Sequence, residues 1–205
     1  MSASAFPDGP TPVVHAVVLA AGAATRFGSA KQLVRHAGRP LLHSAVARAV
    51  EVAGHGVTVV LGAHAAELAP LLKHSPASIL INRNWSEGIA SSIRAGVSHL
   101  PASCDGVLLM LADQPAITAE DLRRLVSVWR VQPQYIVAAQ YEGTVGVPAV
   151  FPRSAFSSLL KLRGDEGARG LLRHQADRVV RVPLPNAAID IDTPEDLLRL
   201  SEAPP

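Results

Sequence analysis

The segment Leu19-Ala20-Ala21-Gly22-Ala23-Ala24-Thr25-Arg26-Phe27-Gly28-Ser29-Ala30-Lys31-Gln32-Leu33 joins a run of small residues to two cations. Small side chains let backbone N–H groups approach an anion, and Arg26 and Lys31 supply the positive charge that a polyphosphate needs. Lys31 is one of only three lysines beside sixteen arginines, which singles it out. The spacing fits neither familiar phosphate loop. A dinucleotide-binding turn needs Gly where Ala24 stands. A P-loop needs four residues between its glycines and Lys directly after the second, but here five residues separate Gly22 from Gly28 and Lys31 comes three later. The same composition also suits an ordinary strand-to-helix connection with two surface cations.

Carboxylates supply the complementary chemistry. Asp113 follows the apolar run Leu108 to Leu111 and Ala112, so it falls at the carboxyl end of a buried strand. Aspartate there is a natural Mg²⁺ ligand, because Mg²⁺ takes one or two carboxylates and fills its other positions with phosphate oxygens and water. A turn aspartate before Gln114-Pro115 is the plainer alternative. Asp190 and Asp192 flank Ile191, and alternation in an extended segment puts both on one face, able to complete a metal site with Asp113. The alternative is a solvated Asp190 and an Asp192 that belongs to the cap of the next helix. Asn84 to Ser92 is a polar, small-residue entry into a helix N-terminus, suited to a nucleotide or to simple capping. Gly164-Asp165-Glu166-Gly167-Ala168-Arg169 is a glycine-bounded charged cluster, or else a capped surface helix start.

The surrounding elements must place these groups. Val13 to Ala20 is a near-continuous apolar run, expected of a strand buried on both faces. Further strands are expected at Val57 to Leu61, Ser78 to Ile81, Gly106 to Leu111, Tyr135 to Gln140, Thr144 to Phe151 and Val179 to Val182. Helices are expected at Pro40 to Ala53, Ala65 to Lys73 (interrupted by Pro70), Gly88 to Leu100, Arg153 to Leu162 and Glu166 to Gln175. Two more begin at the capping pair Thr118/Asp121 and at Thr193-Pro194. Strands alternating with helices imply βαβ units on a mostly parallel sheet, which binds ligands at the carboxyl ends of its strands. The expected fold class is α/β: one domain over 13–205 behind a loose tail at 1–12.

Composition removes several alternatives. The chain has 205 residues, 48% of them apolar and 18% charged, enough for a sizeable core. A net charge of +2 and 4% aromatics argue against a nucleic-acid surface. One cysteine, Cys104, excludes an internal disulfide and suits a reducing compartment. No basic residue among Lys and Arg precedes Arg26 and no apolar run spans a bilayer, so a cytoplasmic protein without membrane contact is expected. The eight histidines make no ligand spacing, and neither a G-x-S-x-G nor an H-E-x-x-H motif occurs.

Taken together and in order, Leu-Ala-Ala-Gly…Arg-Phe-Gly…Lys-Gln-Leu, Asn-x-Trp-x-x-Gly…Ser, Leu-Ala-Asp-Gln-Pro, Gly-Asp-x-Gly-Ala-Arg and Asp-Ile-Asp-Thr-Pro-Glu-Asp-Leu resemble the MobA-like nucleotidyltransferases, and within them the molybdenum cofactor cytidylyltransferases. The resemblance runs from about residue 14 to 200. It implies a Rossmann-like three-layer α/β/α domain that transfers CMP from CTP to a phosphate acceptor with Mg²⁺, releasing pyrophosphate. Carried over, Leu19, Ala20, Ala21, Gly22, Gly88, Ser92 and Ala112 lie along the nucleotide. Arg26 and Lys31 hold its phosphates and act with Asp113 as the catalytic set, and Asp113, Asp190 and Asp192 hold the metal. The acceptor, molybdopterin by resemblance, lies over Gly146, Pro148, Gly164, Asp165 and Arg169, and a molybdenum hydroxylase is the implied client. Ala21, where guanylyltransferases of the group tend to have Gly, favours CTP over GTP. The subgroup has Gly-His-Pro where this chain has Gly146-Val147-Pro148, a departure that bears on the acceptor. A phosphate nucleophile is already anionic near neutral pH and needs neither a general base nor a protein nucleophile, which agrees with the missing triad. The alternatives are a guanylyltransferase of the same family, an NAD(P)H-dependent oxidoreductase resembling the nicotine-blue oxidoreductase among the relatives, and a nucleotide-binding chaperone module.

Overall fold

A computed structural model describes residues 11–23, 30–191, 193 and 196. Residues 1–10 of the expected tail, the 24–29 part of the first loop with Arg26, Asp192 and the helix after Thr193 lie outside these residues, apart from Thr193 and Asp196. The described residues form strands β1 (Val14–Ala20), β2 (Arg35–His36), β3 (Arg39–Pro40), β4 (Val57–Leu61), β5 (Ser78–Ile81), β6 (Gly106–Leu111), β7 (Ile136–Tyr141), β8 (Thr144–Pro152) and β9 (Val179–Pro183). The helices are α1 (Leu41–Ala53), α2 (Ala65–Leu68), α3 (Ile89–Ser98), α4 (Ala119–Val131), α5 (Phe156–Leu159) and α6 (Ala168–His174). Seven strands make one sheet in the order β5-β4-β1-β6-β8-β7-β9, and β2 and β3 form a small separate hairpin.

Alternation along β1 sorts the core into two layers. Val14, Ala16, Val18 and Ala20 pack with α1 and α4 residues such as Leu42, Val46, Leu122 and Trp129. Val17, Leu19 and Ala21 point the other way, to Ile93 and Val97 of α3, Leu159 of α5 and Leu172 of α6. Helices therefore cover both faces, which is why the strand reads as a near-continuous apolar run. β1 pairs in parallel with β4 on one side and β6 on the other. The chain runs outward from β1 to β4 and β5, then returns past β1 to β6. Its connections leave in opposite directions at the carboxyl ends of β1 and β6, and a crevice opens there.

β8 is the one reversed strand of the main sheet, antiparallel to both β6 and β7. Tyr141 pairs with Thr144 across Glu142 (φ 46°) and Gly143 (φ 72°). Two positive φ values in a two-residue loop define the tight turn that matches strand twist, and glycine takes the second without strain. The β7–β8 register then jumps from Ala139–Gly146 to Ala138–Ala149, so Val147 and Pro148 are extra residues on β8. This is a bulge, where proline's missing N–H costs the ladder nothing. The Val147–Pro148 bond is cis.

Two expected helices are shorter than the sequence implies. Ala65 to Lys73 is α2 followed by a 3₁₀ turn at Ala69–Leu72, because Pro70 has no N–H for the helical ladder. Arg153 to Leu162 is a 3₁₀ turn and the single-turn α5. The Thr118/Asp121 capping box is present on α4. Thr193 and Asp196 make the same reciprocal bonds, Thr193 N and Asp196 Oδ2 being 2.9 Å apart. No helix among the described residues is long and apolar enough to cross a membrane.

Candidate active site

The crevice between β1 and β6 leads into a groove with two connected lobes. The first has a volume of about 420 Å³ and the second about 430 Å³. Leu19, Ile89, Leu111 and Asp165 border both, so the lobes meet along one wall.

Main chain and small residues line the first lobe. Leu19, Ala20, Ala21 and Gly22 come from the end of β1, and Ala112 and Asp113 from the end of β6. Gly88 and Ser92 come from the start of α3, and Lys31 from a 3₁₀ turn at Lys31–Leu33. Lys31 Nζ lies 2.5 Å from Asp113 Oδ2, with the two side chains 14% and 18% exposed. Asp113 Oδ1 is buried and accepts no hydrogen bond from the described residues. A half-screened carboxylate with one oxygen on an ammonium and the other without a donor suits a further cation. Asp190 is exposed and borders the second lobe, on a segment where Ile191 N donates to Asp113 O at 3.0 Å. Among the described residues no three His, Cys, Asp or Glu side chains form a metal cluster, so phosphate and water oxygens would have to fill the remaining positions.

Several residues to which the motifs assign no role hold this lobe in shape. Gln32 is buried and donates from Nε2 to Gly22 O at 3.2 Å and Ala20 O at 3.4 Å, tying the end of β1 to the lysine turn. His64 Nε2 lies 3.1 Å from Ala23 O, and Ala63 N donates to Ala21 O at 3.1 Å, so the turn after β4 supports the same loop. Asn82 donates from Nδ2 to Ser91 Oγ at 2.8 Å and to Ser92 Oγ at 3.0 Å, while its Oδ1 accepts from Asn84 N. That network fixes the Ser92 hydroxyl at the lobe. Trp85 and Ser86 complete its rim.

The second lobe is apolar below and charged above. Ile89, Ile93, Leu109 and Leu111 form its floor, and Arg169, Arg173 and His174 of α6 stand at its edge. Arg169 Nη2 donates to Tyr141 Oη at 3.1 Å. Among the expected acceptor positions, Asp165 and Arg169 border the lobe, whereas Gly146 and Pro148 are buried and do not. Val147, carried outward by the bulge, takes the lining position between them. Gly146 lies under the Tyr141 hydroxyl, where a Cβ would collide with it.

The junction of the lobes depends on Gly88. Its φ is +96°, and a Cβ there would strike the Gly164 carbonyl and come within 2.5 Å of Asp165 Oδ1. Without a side chain, α3 starts flush against the 164–165 turn, and Ala90 N donates to Gly164 O at 3.1 Å. Gly164 itself does not line either lobe but supplies this contact.

Comparison with known proteins agrees with this architecture. The chain is 32% identical over 206 residues to nicotine blue oxidoreductase of Paenarthrobacter nicotinovorans, covering 94% of this chain and 98% of that protein. It is 28% identical over 202 residues to the purine catabolism protein PucB of Bacillus subtilis, covering 91% and 95%. The crystal structure of Rv0371c from Mycobacterium tuberculosis superposes with a TM-score of 0.79 at 27% identity, covering 95% of this chain and all of that one. A manganese complex of the same mycobacterial protein superposes with a TM-score of 0.77 at 25% identity. Residues 16–179 match the MobA-like NTP transferase domain. Because that match runs from within β1 to the first residue of β9, across both lobes of the groove, the chain belongs to the MobA-like NTP transferase domain family.

Proposed function

We propose that this nucleotidyltransferase-family chain transfers CMP from CTP to a phosphate acceptor, molybdopterin, with release of pyrophosphate, and does so in the cytoplasm. The observation that carries the proposal is the pairing of Lys31 and Asp113 on the floor of a small-residue lobe that opens into a second, cation-edged lobe. The first lobe suits a nucleoside triphosphate, with backbone approach along Ala20 to Gly22 and the Ser92 hydroxyl held by Asn82. The second suits a flat apolar body bearing an anion, with Ile89 and Leu109 beneath and Arg169 and Arg173 above. Ala21 is the feature that selects CTP over GTP in this reading.

The chemistry then asks for alignment and charge neutralisation more than for proton transfer. Lys31 stabilises charge that grows on the α-phosphate and the departing pyrophosphate, and Arg26, outside the described residues, is assigned the same task. Asp113, with Asp190 and Asp192, would hold a divalent cation, whose charge would add to that of Lys31 on the phosphate oxygens. Asp113 Oδ1, buried and without a donor among the described residues, supports that assignment, and a manganese complex exists for the mycobacterial relative. Arg169 orients the acceptor phosphate from its seat on Tyr141.

Thermal stabilisation by CTP, GTP, ATP and NADPH, each with and without Mg²⁺, tests the reading. A ligand at 100 times its dissociation constant adds about 2.7 kcal/mol to stability. A Mg²⁺-dependent shift with CTP above GTP is expected. A shift with NADPH alone, independent of Mg²⁺, would replace nucleotidyl transfer with the redox chemistry named for the Paenarthrobacter relative.

A further inference from the structure

We propose that Gln114 is a positioning residue whose one buried amide sets the register between the two lobes of the groove. The inference rests on the nucleotidyl-transfer reading and extends it to a neutral side chain.

Gln114 directly follows Asp113 and is 2% exposed. Its Nε2 donates to Val147 O at 3.2 Å and to Ala187 O at 2.9 Å. Both amide hydrogens end on carbonyls, so turning the amide over would set oxygen against oxygen. The two acceptors belong to separate pieces of the site. Val147 is the outward residue of the β8 bulge and lines the second lobe. Ala187 lies in a 3₁₀ turn, Pro185–Ala188, that leads to Asp190 and to Ile191, whose N–H returns to Asp113 O at 3.0 Å.

The loop that carries Gln114 is anchored from the opposite side. Arg48 of α1 donates from Nη1 to Pro115 O at 3.1 Å and from Nη2 to Gln114 O at 3.3 Å. The loop after β6 is thereby fixed to the α1 layer, and Gln114 carries that fixed point to the bulge and to the 185–188 turn. A nucleotide held at Asp113 and an acceptor held against Val147 face each other across this amide. A misplacement of about 1 Å between reacting groups costs about 100-fold in rate. Removing the amide should therefore lower turnover while leaving nucleotide affinity in place.

Two uncharged variants test this. Gln114→Met keeps the length and removes the donors, and Gln114→Asn keeps the donors but cannot span both carbonyls, so a folding failure of one leaves the other. Three quantities are read on each: pyrophosphate release from Mg²⁺·CTP with molybdopterin, the CTP dissociation constant from thermal stabilisation, and amide hydrogen exchange over 145–149 and 184–191. The expected result is a kcat lower by about 30–100-fold, a CTP dissociation constant within about twofold, and faster exchange over 184–191 with 14–22 unchanged. A kcat within about threefold of the parent enzyme overturns the proposal. So does a raised KM for molybdopterin with kcat intact, which would make Gln114 a direct contact. If the parent enzyme transfers nothing to molybdopterin, the proposed transfer to that acceptor fails on its own. The exchange comparison then decides the amide's role, and unchanged protection over 184–191 overturns it.

Discussion

Replacing Lys31 by methionine removes one positive charge and keeps most of the side-chain volume. The ammonium lies 2.5 Å from Asp113 Oδ2 at the floor of the first lobe, where both side chains are largely shielded from water. Two unit charges about 4 Å apart at an effective dielectric near 20 interact by about 4 kcal/mol. Only the part that grows between ground state and transition state speeds the reaction. Losing one donor aimed at developing charge typically costs about 2.7–4 kcal/mol, so kcat for pyrophosphate release should fall about 100- to 1000-fold. The assay uses saturating CTP, Mg²⁺ and molybdopterin, with CTP affinity measured separately by thermal stabilisation. A second readout follows from the ion pair. The ammonium competes with a bound cation for Asp113, so the Mg²⁺ concentration for half-maximal rate should not rise in the variant. A fall in kcat below about threefold, or a loss wholly recovered by more nucleotide, would reduce Lys31 to a ground-state binding group.

Asp113→Ala should abolish pyrophosphate release while the nucleotide-free protein still folds, the lost contact to Lys31 being partly offset by removal of a buried oxygen without a donor; near-normal turnover at ordinary Mg²⁺ would remove the metal assignment. Gly88→Ala forces a Cβ onto φ +96° and against Asp165. At about 1–3 kcal/mol for such strain, and about 2–4 °C per kcal/mol for a chain of this size, the melting temperature should drop about 3–10 °C, and an unchanged value would count against the contact between the lobes. His15 on β1 titrates below its ordinary value of 6.5, first because of burial and then because of nearby His99. The unfolded chain thus takes up its proton at higher pH than the folded one. Stability should be flat in this respect above about pH 6.5 and fall as pH drops from there toward the folded value. His15→Gln should flatten that part of an equilibrium unfolding series, and an identical acid slope in the variant would show that other groups set it.

The strands were legible because a parallel sheet covered on both faces needs apolar residues at nearly every position, and β1, β4 and β6 have them apart from His15 and Thr58. Helix lengths were less so. Pro70 shortened α2, and the region after Pro152 breaks into turns that buried Leu159 and Leu162 resemble a longer helix in imitating. At the site the charged residues stand out in the sequence: Asp113 follows the end of β6, and Lys31, on the 3₁₀ turn that follows the small-residue loop after β1, comes to pair with it. The amides did not. Gln32, Asn82 and Gln114 act by bonding to backbone carbonyls or hydroxyls remote in sequence, and nothing in the local residue types announces such partners. The bulge was equally silent, because it is a property of how β8 pairs with β7 and not of β8 itself. The resemblance assigns Gly146 and Pro148 to the acceptor and marks Val147 between them as a departure, and Val147 is the residue presented to the groove.

The two lobes of the groove differ in how readily they can change. Around Ala20, Gly22 and Ala112 the wall is built of small residues at strand ends, which leave little side chain to vary. Around Val147, Arg169, Arg173 and His174 the wall is made of side-chain tips on a bulge and a short helix, and single codon changes resize or recharge it while every strand stays in place. Directed evolution that reshapes the second lobe should therefore draw its gains from those four positions, and a library confined to them leaves the first lobe as it is.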